Sequence, residues 1–166
     1  MGNMIGEKSN FGIEYEIQSI DYYVGTSDPY VLGHMRVWIE GKYIGAYEDV
    51  DMLGVAWWAL EVEGNMKESQ LSNKTADDIY DLMITEGIPD VSHCHLGPPF
   101  DDFVTLSYVC NGKIHFIWKL VDEPCFQYPD YPKGVQSAEV SVEEYRRVVS
   151  EFGKIVEDAR KQGEQR

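Results

Sequence analysis

Three groups of residues in this chain are of types that could do chemistry. His93-Cys94-His95, with Cys110, His115 and Cys125 elsewhere, offers imidazole and thiolate donors, the borderline and soft ligands that zinc and its neighbours take. Such a set would support a metal-dependent hydrolase. The spacing argues against one. Adjacent side chains in an H-C-H run point different ways, and no C-x-x-C or H-x-x-x-H pair adds ligands to the same ion. The simpler reading places His93 and His95 in a loop near Pro98-Pro99, with Cys110 and Cys125 as small apolar fillers. No metal and no cofactor is expected.

The second group is the carboxylate pairs Asp77-Asp78 and Asp101-Asp102. General acid and base catalysis needs two carboxyls at a set separation across a pocket, whereas helix caps and solvated faces account for these pairs more simply. There is no G-x-S-x-G, no phosphate-cradling loop and no dinucleotide fingerprint, since Gly12, Gly25 and Gly33 do not form one. No catalytic residue is assigned, and the chain reads as a binding protein rather than an enzyme.

The third group is the acidity itself. The formal charge is −15 over 166 residues. That excludes nucleic acid and anionic membrane as direct partners, because phosphate binding needs clustered Lys and Arg. A basic partner is the complement. From Glu143 to Arg166 six acidic residues balance six basic ones, so the whole excess lies in residues 1 to 142. No Lys or Arg occurs between Lys74 and Lys113, a stretch that holds Asp77, Asp78, Asp81, Glu86, Asp90, Asp101 and Asp102. A second basic-free stretch, Ile44 to Met66, holds Glu48, Asp49, Asp51, Glu61 and Glu63. If the fold joins the two, Glu48, Asp49, Asp51, Asp77, Asp78, Asp81, Asp101 and Asp102 form one partner-binding face. The alternative is that the acidity serves solubility alone. Tyr22, Tyr23, Tyr30, Tyr128 and Tyr131 lie in loop-like stretches beside Asp21, Asp28 and Asp130. They suit either recognition by a partner or packing within the fold, and they leave open a role as a protein-interaction adaptor.

These residues need a frame. Apolar residues make up 43% and aromatics 13%, enough for a folded core in one domain spanning 1–166. No signal-like leader and no run of about 18 apolar residues occurs, and three widely spaced cysteines do not make a disulfide framework, so a cytoplasmic protein is expected. Phe11 to Ile20 alternates with the period of a half-buried strand. Val31–Ile39 and Lys42–Ile44 flank Glu40-Gly41 as a hairpin, and Asn111-Gly112 between Phe103–Cys110 and Lys113–Val121 demands a two-residue turn. A two-residue turn pairs Cys110 with Lys113 and leaves both faces partly apolar. A bulge that pairs Leu106 with Trp118 would instead make one face wholly apolar.

Three helices are expected. Met52 to Glu63 carries Leu53, Ala56, Trp57 and Leu60 at helical spacing, with Asp49 or Asp51 to cap it, and its adjacent Trp57 and Trp58 cannot both face inward. Thr75-Ala76-Asp77-Asp78 and Ser141-Val142-Glu143-Glu144 are capping boxes. The first opens a helix that Gly87 ends. The second opens a long C-terminal helix whose apolar stripe covers a sheet and whose tail frays after Ala159. The sum is an α+β fold, a mostly antiparallel sheet with an Asn-Gly hairpin packed against two or three helices.

The run Phe11-Gly12-Ile13-Glu14-Tyr15-Glu16-Ile17, followed by Met35-Arg36-Val37-Trp38-Ile39-Glu40-Gly41-Lys42-Tyr43-Ile44-Gly45-Ala46-Tyr47-Glu48-Asp49, resembles the immunity proteins of bacterial polymorphic-toxin systems, and is most similar to immunity protein family forty-two. The resemblance covers about the first third of the chain. It implies an inhibitor without turnover that binds the C-terminal domain of a secreted toxin, as in contact-dependent growth inhibition; the free chain is expected to be a monomer. Joined to the charge, it points to a basic nuclease whose cleft the acidic face occludes. The matching positions are strand and turn positions, so no site residue is carried over from it.

Overall fold

The computed structural model describes residues 2–71 and 73–165 of the chain. Alternating side chains build the first sheet. In β2 (Phe11–Tyr22) Phe11, Ile13 and Tyr15 are buried while Glu14 and Glu16 face outward. The strand pairs antiparallel with β1 (Asn3–Gly6) on one side and β3 (Pro29–Ile39) on the other, with a register shift between Ile17 and Ser19. β4 (Lys42–Ile44) and β5 (Asp51–Met52) add to the far edge of β3. Glu40 at φ 49° and Gly41 at φ 80° make the expected two-residue turn, which closes on the Ile39–Lys42 pair.

A second sheet runs β6 (Ser92–His93), β7 (Phe103–Cys110), β8 (Lys113–Leu120) and β9 (Gln136–Ser141). At Asn111-Gly112 both turn residues have positive φ and Cys110 pairs with Lys113, so the unbulged register holds. Both faces of this hairpin are partly apolar because both are covered. Val109, Ile114, Phe116 and Trp118 enter the main core, while Leu106, Tyr108, Cys110 and Ile117 form a smaller cluster under a helix.

That helix is α2 (Ala76–Thr85), which buries Ile79 against the second sheet. Thr75 caps it by accepting from the Asp78 N–H at 3.1 Å, and Gly87, at φ 80°, donates back to the Leu82 carbonyl at its end. α3 (Val142–Glu164) is capped by Ser141, which accepts from the Glu144 N–H, and lays its apolar stripe across β1, β2 and β3. α1 (Leu53–Glu63) packs between α3 and β3. Trp57 turns inward at Gly153 of α3, where a Cβ would collide with the indole, and Trp58 is left 65% exposed.

Two expectations need correction. No side chain caps α1: its N-cap is Met52, and Asp51 is drawn into β5, where its Oδ1 accepts from the Met52 N–H at 2.8 Å. The end of α3 does not fray at Ala159. Gly163 is buried on Ile20 and Pro29, and its carbonyl accepts a 2.8 Å hydrogen bond from the Tyr22 hydroxyl. Among the described residues, no helix is long and apolar enough to cross a membrane.

Candidate functional site

The acidic residues fall into two groups. The first gathers where the β4–β5 loop meets the corner that leads into β7. The Ala46 N–H donates to the Pro99 carbonyl at 2.7 Å and stitches the two segments together. His34 Nδ1 lies 2.9 Å from the Asp49 carbonyl and holds the loop to β3. This junction brings Glu48, Asp49 and Asp51 of one basic-free stretch beside Asp101 and Asp102 of the other.

Within that group the side chains divide by depth. Glu48 and Asp101 are exposed and Asp49 is half-buried. Asp51 is 4% exposed, and its Oδ2 has no hydrogen-bond partner. Burial pushes its carboxyl up to about 6 against the opposing Met52 N–H, and the Asp49 and Asp101 carboxylates add to the rise. Asp102 is also interior, but its oxygens accept from Cys125 N–H, Phe126 N–H and the Tyr128 hydroxyl at 2.8, 3.0 and 2.9 Å. Burial alone would raise it; these three bonds outweigh that and hold it below the ordinary carboxylate range. Asp51 and Asp102 therefore lie beneath the surface that Glu48, Asp49 and Asp101 present.

The second group is on α2, whose outward face exposes Asp77, Asp78 and Asp81. It is separate from the first. A pocket of about 370 Å³ is lined by Ile84 from the end of α2 and by His93, His95 and Asp101, but by none of the three α2 aspartates. The remaining carboxylates of the stretches go elsewhere: Glu86 and Asp90 are exposed after α2, Glu61 is exposed on α1, and Glu63 is buried beside Ser107.

The His-Cys-His run does not converge. His93 and His95 are exposed with their rings stacked 6.2 Å apart, while Cys94 points into the core and its thiol donates to the Ser107 hydroxyl at 3.2 Å. Among the described residues no three His, Cys, Asp or Glu side chains are grouped to hold a metal ion. Burial pushes the Cys94 thiol well up; Cys110 is buried as an apolar filler, but Cys125 is exposed rather than the filler expected, and the neighbouring Asp102 carboxylate raises its thiol. Thiols held protonated are poor nucleophiles.

The tyrosines split between the two readings open to them. Tyr128 and Tyr131 are packing residues: their rings meet Phe103 edge-on, and the Tyr131 hydroxyl accepts from Trp118 Nε1 at 2.8 Å and donates to the Tyr43 carbonyl. Tyr22 and Tyr23, at the tip of the β2–β3 hairpin, are 36% and 49% exposed. Sequence reasoning missed what lies beside them. Val55, Trp58 and Val62 form an exposed apolar stripe on α1, and the only advance sign of it was the pair of tryptophans competing for one inward face.

Residues 1–155 match the model of a protein family described as Immunity protein 42. No curated protein and no solved structure matches the chain.

Proposed function

The chain belongs to the Immunity protein 42 family, a family of toxin inhibitors that act by binding rather than by turnover, and we propose that it neutralises a basic nuclease domain by covering its substrate cleft. The observation that carries this reading is the acidic surface of the junction, exposed Glu48 and Asp101 with half-buried Asp49, together with the exposed Asp77, Asp78 and Asp81 of α2. A nuclease cleft concentrates positive potential to hold phosphates, and a protein surface of opposite sign competes for it directly. Asp51 and Asp102 serve the same face from beneath, Asp102 by fixing the 124–132 segment and Asp51 by adding negative potential under Asp49 and Asp101.

Within this reading the chain acts in the cytoplasm of the toxin-producing cell or its kin, as in contact-dependent growth inhibition, and meets the toxin as a monomer. Electrostatic attraction of this kind acts mainly on the association rate and is screened by salt. The test is stopped-flow association with the toxin domain encoded beside this chain. Reversal of Glu48, Asp49 and Asp101 to lysine, or of Asp77, Asp78 and Asp81, is expected to slow association about tenfold or more at low salt, with the difference shrinking at high salt. Association that neither triple changes would overturn the electrostatic mechanism. A toxin domain without a basic cleft would overturn the nuclease assignment.

A further inference from the structure

We infer that the outward face of α1 and the tip of the β2–β3 hairpin form an apolar docking surface for the same toxin domain, one that takes an apolar side chain flanked by lysine or arginine. This rests on the toxin-neutralising role and adds to it an anchor that does not depend on charge.

Bulky apolar side chains are concentrated here. Of the eight large hydrophobic residues exposed among the described residues, six lie on this side of the molecule: Tyr22, Tyr23 and Val24 at the hairpin tip, and Val55, Trp58 and Val62 on α1. The last three recur at helical spacing, so they share one stripe. An exposed tryptophan is expensive to leave in water, and tryptophan is among the residues that most often dominate a protein interface. Beside Trp58 runs a groove of about 450 Å³, walled by Tyr23, Tyr30, Val31, Val55 and Trp57. Tyr23 and Tyr30 pack together at 4.8 Å, which gives the groove a firm wall rather than a loose loop.

The rim decides what the groove takes. Asp28 and Glu157 line it with one basic residue, Arg160; Glu157 pairs with Arg160 at 2.6 Å, so Asp28 is the carboxylate that gives the rim its net negative charge. An apolar floor with an acidic rim complements an apolar side chain between cations. A second copy of this chain would bring a like rim and a net charge of −15 against it, which repels. The groove borders the acidic junction along the chain: Met52 lines it, and the adjoining Asp51 is buried against Asp49 and Asp101.

The experiment uses the full chain, the toxin domain encoded beside it, and two variants at exposed positions, Trp58→Ala and Val55→Glu. Circular dichroism melts establish that each variant is folded. Trp58→Ala is expected to weaken binding about thirtyfold, chiefly through faster dissociation and with little dependence on salt. Val55→Glu, which puts a carboxylate into the apolar stripe, is also expected to weaken binding. Wild-type binding that both folded variants leave within about twofold would overturn this surface and leave the proposed role standing. Failure of the wild-type chain to bind that domain would overturn the role itself. A wild-type dimer in sedimentation velocity that Trp58→Ala dissociates would assign the groove to a second copy and overturn the inference.

Discussion

Glu63, in the last turn of α1, accepts a hydrogen bond from the Ser107 hydroxyl in the middle of β7, and through it the first helix is fastened to the second sheet. Ser92 donates to the other carboxyl oxygen at 3.1 Å, and the Cys94 thiol donates to Ser107 in turn. A polar chain of this kind inside an apolar core is stabilising only when every member is satisfied.

Burial raises the Glu63 carboxyl above its ordinary value, against the hydrogen bonds from Ser107 and Ser92. A raised folded-state value means that this group adds stability in acid, below its unfolded value, and loses it as pH rises through the folded value. Glu63→Gln keeps an oxygen for Ser107 and removes the charge. Urea unfolding should show the variant gaining on the wild type as pH rises from the ordinary glutamate value through the raised one. A difference that does not change with pH would sink this account.

Asp51 obeys the same sign over a stated window. Its carboxyl titrates at about 6 in the fold, so its contribution is complete below the ordinary aspartate value and is lost as pH rises through about 6. Asp51→Asn preserves the oxygen that accepts from the Met52 N–H. At about pH 8 it should stabilise the protein by on the order of 1 kcal/mol, and near pH 4 it should be neutral or slightly destabilising. Chemical denaturation at the two pH values checks both halves.

Asp102 runs the other way. Its depressed value means that the stability it supplies is present above the ordinary aspartate value and is lost as pH falls through the folded one. Asp102→Ala releases Cys125, Phe126 and Tyr128 from their shared acceptor and should cost about 2–4 kcal/mol at neutral pH. Limited proteolysis should then cut first within residues 124–132. Equal resistance there in the two proteins would show that Asp102 does not hold the segment.

Two helical glycines separate packing from propensity. Gly54→Ala meets only Val156 Cγ1 at 4.0 Å, so the better helix former should stabilise α1 by about 0.5 kcal/mol. Gly153→Ala drives a methyl into the Trp57 indole between α1 and α3 and should instead destabilise by about 1–3 kcal/mol. Thermal melts that rank the two variants in the opposite order would contradict this packing.

Much of the frame could be read along the chain. The Thr75 and Ser141 caps, the Glu40-Gly41 and Asn111-Gly112 turns and the alternation from Phe11 follow from local rules, each set by a few neighbouring residues. β9 could not be read in this way. Gln136-Ser137-Ala138-Glu139-Val140-Ser141 has little β character of its own and is a strand because β8 offers it an edge. The hairpin register was open for a related reason: apolar residues on both faces make sense only once α2 is known to cover the second one.

The sequence by itself determined how much negative charge the chain carries, that the charge lies outside the C-terminal helix, and that only one of Trp57 and Trp58 could be fully inward. Tertiary structure alone decided which carboxylates meet water. Asp101 and Asp102 are neighbours of the same type, yet one is exposed and the other accepts three hydrogen bonds from residues more than twenty positions away. Tertiary structure alone also left Trp58 outward beside Tyr23, on a helix that is apolar on both faces. Spacing sets which side chains share a face, but contacts between elements distant in the chain choose the face that is covered.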